Sequence, residues 1–133
     1  MYEFHGWLAL AESSSGIDEG NLEMRVERLR EEMLRWLGNE PIGSIVLHNG
    51  RYTLVLNGYT NRRRSEASSI KRLLERVVEL LPGSYGLLYE HDEGVVLPTG
   101  RGLFTVTTIK MGQIFANLDP FLSPTIPVIE SLE

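Results

Sequence analysis

The chain has 133 residues and no cysteine, with 42% hydrophobic and 23% charged residues, which suits one folded domain over 1–133 and excludes disulfides and thiolate chemistry. No apolar run is long enough to span a bilayer, and Met1-Tyr2-Glu3-Phe4-His5 lacks the basic start of a signal peptide, so a cytoplasmic protein with no membrane partner is expected. The net charge of −5 is uneven, with −4 over residues 1–20, +3 over 21–85 and −4 over 86–133, a balance that disfavours nucleic acid and favours a basic partner.

Phe4 to Glu12 reads as a strand, with Phe4, Gly6, Leu8 and Leu10 on one face and His5, Trp7, Ala9 and Ala11 on the other. Ser13-Ser14-Ser15-Gly16 ends it. Residues 21–37 follow as an amphipathic helix, because Leu22, Val26, Leu29, Met33 and either Trp36 or Leu37 step by three and four.

A hairpin comes next. Ile45 to His48 and Arg51 to Leu56 flank Asn49-Gly50, a pair that tolerates the positive φ angles of a two-residue turn. That turn pairs His48 with Arg51, Leu47 with Tyr52 and Ile45 with Leu54, and puts His48, Arg51 and Thr53 on the more polar face.

Ser65 is positioned to cap a second helix that runs to about Leu81 on the stripe Ile70, Leu73, Leu74, Val77, Val78. Two further strands are expected over 85–91 and 102–110, and an irregular tail from Asp119, with prolines at 120, 124 and 127. The order β-α-β-β-α-β-β predicts an α+β fold, mainly an antiparallel sheet with two helices packed on one face in a split βαβ pattern, with an extra strand or hairpin at the end.

No catalytic, metal or cofactor signature is present. His5, His48 and His91 are scattered, and His91 beside Glu90, Asp92 and Glu93 reads as a solvated turn after a strand. Neither Gly83-Ser84-Tyr85-Gly86 nor Gly100-Arg101-Gly102 forms a phosphate-binding loop, and Arg62-Arg63-Arg64 in an acidic chain reads as a solvated loop. A chain without a reactive constellation is expected to act through its surface.

Four blocks, Met1 to Trp7, Gly58-Tyr59-Thr60-Asn61-Arg62, Pro82 to Tyr89 and Asp119 to Pro127, occur in an order that resembles the seventh family of immunity proteins of bacterial polymorphic toxin systems. The resemblance implies a non-enzymatic protein that binds the C-terminal domain of its cognate toxin and occludes it. Many such toxins are nucleases with basic clefts, which an acidic inhibitor would suit.

Two surfaces are candidates for the partner. One is the sheet face around Trp7, His48, Arg51 and Thr53, where an exposed Trp would anchor an interface; the alternative is that Trp7 packs under the C-terminal tail. The other is the acidic turn Glu90, Asp92, Glu93. Asp119 to Pro127 reads as a cover for an open edge or a cap on the core. Split βαβ sheets also bind metabolites and dimerise, so a small-ligand-binding regulatory domain and a homodimer stay open.

Overall fold

A computed structural model of the chain describes residues 2–13, 15, 20–37, 42–60, 63–96 and 102–119, with the backbone alone at 63–67, 93–96, 102 and 103. Its elements are β1 (Tyr2–Ala9), α1 (Leu22–Leu37), β2 (Gly43–His48), β3 (Arg51–Thr60), α2 (Arg63–Leu80), β4 (Tyr85–Val96), β5 (Gly102–Lys110) and β6 (Gln113–Leu118). The strands form one sheet in the order β2-β3-β1-β4-β5-β6, each pair antiparallel. β1 therefore separates β3 from β4, and β3 separates β1 from β2. Each helix joins two strands that run the same way with a third between them, which is the expected split βαβ pattern.

One apolar cluster holds the two layers together. Tyr2, Phe4 and Leu8 of β1, Leu54 and Leu56 of β3 and Leu88 of β4 meet Val26, Leu29 and Met33 of α1 and Leu73 and Val77 of α2. Both helices thus lie on one face of the sheet. Each large aliphatic side chain buried there contributes roughly 1.5–3 kcal/mol. Leu37 closes the end of α1, while Trp36 stays half-buried with the Arg72 guanidinium 4.2 Å over its ring.

The hairpin has the expected register, His48 with Arg51 and Ile45 with Leu54, and Asn49 and Gly50 take φ of 49° and 77°. Close approach of β1 and β4 depends on two positions without side chains. A Cβ on Gly86 would stand 2.0 Å from the Trp7 carbonyl oxygen, and one on Gly6 would stand 2.5 Å from that of Leu87.

Four expectations change. β1 spans Tyr2–Ala9 instead of reaching Glu12; the Leu10 N–H still bonds the Tyr52 carbonyl one step beyond the β1–β3 register, but the Ala11 N–H goes to the Ser84 hydroxyl in place of a strand carbonyl. α2 begins at Arg63, which puts Ser65 inside its first turn and not at the cap. β4 continues through Asp92 to Val96, because Gly94-Val95-Val96 carries the extended chain on past a register shift. A sixth strand, β6, follows a two-residue turn at Met111-Gly112, with φ of 51° and 71°. Pro120, Pro124 and Pro127 lie outside the described residues.

Candidate functional site

Side chains alternate along a strand, so burying one face of the sheet under helices commits the other to the outside. On β1 that outward set is Glu3, His5 and Trp7. Trp7 stands opposite Val55 of β3 and Leu87 of β4. It is 44% exposed, and Val55, Tyr59, Tyr85 and Phe115 are exposed with it. Trp7 meets Tyr85 edge to face at 6.2 Å, and Tyr59 meets His5 the same way at 5.4 Å. Lys110 lies 5.9 Å over the Phe115 ring. Aromatic groups held on rigid strands lose little freedom when a partner covers them, which is why such patches serve as anchors.

His48, Arg51 and Thr53 belong to the same face. Arg51 and Thr53 alternate with Val55 along β3, and His48 is the cross-strand partner of Arg51. His48 and Arg51 are exposed and Thr53 is half-buried. Trp7 and the three residues singled out with it are therefore brought to one surface, with His48 and Arg51 at its hairpin end.

The acidic residues are not. Alternation turns Glu90 and Asp92 to the helix side of β4, opposite Phe4 and Tyr2. Glu90 accepts a 2.5 Å hydrogen bond from the Tyr2 hydroxyl. It also lines a cleft of about 470 Å³ between α2 and β6 with Ile70, Leu74 and Ile114. The side chain of Glu93 lies outside the described residues.

His91 takes the outer side of β4, yet it is only 4% exposed and stacks on Phe104 at 4.5 Å. It is a packed strand residue and not part of a solvated turn. Its Nε2 is buried without a hydrogen-bond partner among the described residues. Its Nδ1 lies 3.6 Å from Glu3 Oε1, while Glu3 Oε2 lies 2.8 Å from His5 Nε2. One carboxylate thus sits between two imidazoles, and His5 Nδ1 reaches Asn57 Oδ1 at 2.5 Å. The negative charge of Glu3, with a smaller contribution from desolvation, raises the Tyr59 hydroxyl above its ordinary pKa. This cluster stitches β3, β1 and β4 together on the open face. It has a carboxylate and bases but no nucleophile, and among the described residues no group of three or more His, Asp or Glu is placed to hold a metal ion. No described helix is long and apolar enough to cross a membrane.

Tyr59 and Tyr85 are the site residues that sequence reasoning missed. Their signal is a tyrosine at an outward position of each strand flanking Trp7, and it needs the β3-β1-β4 order to be read.

The family model described as Immunity protein 7 matches residues 1–131. The chain belongs to that family, which makes it an immunity protein, the counterpart of a toxin. No curated protein and no solved structure matches it.

Proposed function

We propose, taking membership of the immunity protein 7 family as the premise, that this chain binds the C-terminal domain of its cognate toxin in the cytoplasm and blocks it by covering its active site, without turnover. The open sheet face is the contact surface. The observation that carries this is the exposed set Trp7, Tyr85 and Tyr59 on three adjacent strands. Apolar burial there supplies the affinity, and the described charges on that face, Arg51 and Lys110 with a shielded Glu3, do not make it acidic. An acidic pull on a basic toxin such as a nuclease comes instead from the net charge of −5, acting at long range on the association rate.

Calorimetry against the toxin domain encoded beside the gene tests this. A nanomolar, one-to-one complex that also rescues growth supports the proposal; absence of binding contradicts it. A second reading, a small-ligand regulatory domain, has the cleft of about 470 Å³ under α2 in its favour, a volume in the range of ligand pockets. It predicts a ligand-dependent rise in melting temperature without the toxin.

A further inference from the structure

β6 is the last strand of the sheet among the described residues, and it is an edge of an unusual kind. Gln113-Ile114-Phe115-Ala116-Asn117-Leu118 contains no charge and no proline, and all six residues are exposed. Edge strands are ordinarily protected by lysines, prolines, bulges or a covering element, because their free N–H and C=O groups template pairing with another strand. β6 has none of the first three.

The pairing with β5 shows which backbone groups are free. Lys110 and Gln113 flank the Met111-Gly112 turn, whose two positive φ angles give it the I′ form. In that hairpin Gln113, Phe115 and Asn117 turn their amides and carbonyls toward β5. Those of Ile114, Ala116 and Leu118 point away from the sheet.

We propose that β6 pairs with β6 of a second copy of this chain, antiparallel about a twofold axis through Phe115. This register sets Ile114 against the partner's Ala116, so the outward-pointing groups of both residues bond twice on each side of the axis. The strand is also neutral along its whole length, so pairing the two edges sets no like charges of these chains of net charge −5 against each other within the sheet.

The helix above the edge is self-complementary as well. Lys71 and Glu75 of α2 line the same cleft as Ile114 and Ala116, so they stand at the level of the axis. A twofold operation runs the partner's α2 antiparallel across the seam. It lays Lys71 toward the partner's Glu75 and Glu75 toward the partner's Lys71, as an isologous contact requires. The two apolar clefts, each floored by Ile70, Leu74 and Ile114, then merge beneath the helices. The open face keeps Trp7 and Tyr85 outside the seam, so a dimer would hold two partners at once.

Analytical ultracentrifugation of the full chain tests the proposal. The expected species is about 30 kDa, twice the 15.0 kDa chain. Ile114→Lys, which adds the missing edge charge, should give a monomer with an unchanged circular dichroism spectrum. Lys71→Glu should weaken dimerisation by at least about tenfold, and Lys71→Glu with Glu75→Lys should restore it, because swapping both charges keeps the contact self-complementary. A monomer at several hundred micromolar overturns the proposal. A dimer indifferent to Ile114→Lys overturns it too, by placing the contact on another surface.

Discussion

Trp7 and Tyr85 stand edge to face with ring centres 6.2 Å apart and planes at 87°, on the sheet face opposite both helices. Neither ring is needed by the helix-side core, so their exposure is available to a partner. Trp7→Ala should weaken toxin binding by roughly 2 kcal/mol or more, about thirtyfold in Kd, while the melting temperature moves little. Calorimetry of this variant beside Met24→Ala, an exposed residue of α1 on the opposite side, checks it. Equal affinities for both variants and the parent chain would place the interface elsewhere.

Gly86 should behave as a core position although it has no side chain. Its missing Cβ would meet the Trp7 carbonyl oxygen at 2.0 Å, which only a shift of β4 against β1 can relieve. Gly86→Ala should cost roughly 2–4 kcal/mol and lower the melting temperature by about 10 °C or more. Urea unfolding of the variant decides this, and a loss below about 0.5 kcal/mol would contradict the packing.

Arg76 ties the helices to each other. Its Nε donates to Glu32 Oε1 of α1 at 2.8 Å, and its Nη1 to Glu79 at 3.0 Å. Glu32, and then Glu79, hold the guanidinium pKa above its ordinary value against a partial loss from burial. Arg76→Met should destabilise by about 1–2 kcal/mol, since it removes the hydrogen bond to Glu32 Oε1 and leaves that largely buried carboxylate only Arg28, 3.8 Å from an Oε2 that has no hydrogen bond. A double-mutant cycle with Glu32→Gln should return a coupling near 1 kcal/mol. Additive effects would show that the contact contributes nothing.

Tyr59 should ionise late. Its hydroxyl pKa lies above the ordinary 10.0, first because of the negative charge of Glu3. The folded state therefore holds this proton more tightly than the unfolded chain. Its contribution to stability is complete below pH 10 and is lost as pH rises through the folded value. Ultraviolet titration should show the Tyr59 midpoint fall in Glu3→Gln relative to the parent chain. Identical titrations would remove Glu3 as the cause.

Much of the fold can be read from local chemistry. Asn49-Gly50 sets the hairpin and its register, and the three-four spacing of Val26, Leu29 and Met33 predicts which face of α1 is buried. Boundaries controlled by tertiary contacts cannot be read that way. Nothing in Glu90-His91-Asp92-Glu93 signals a strand, yet pairing with β1 and β5 keeps it extended and stacks His91 on Phe104. β6 was hidden because Met111 is a poor advertisement for a positive φ. The site was half legible for the same reason. Trp7 shows its side by alternation within its own strand, but grouping it with Tyr59 and Tyr85 requires knowing that β3 and β4 flank β1. Three of the four residue blocks that carry the family resemblance reach onto those three strands, and Gly6, Gly58 and Gly86 among them make room for neighbouring backbone or for the Phe4 ring. They identify the scaffold more than the contact surface.

The most direct test uses Trp36→Phe, which leaves Trp7 as the single tryptophan, and measures acrylamide quenching of its fluorescence with and without saturating toxin domain. Burial of the open sheet face predicts a severalfold fall in the quenching constant on binding. A nanomolar complex in which Trp7 is quenched as readily as in the free protein would contradict it.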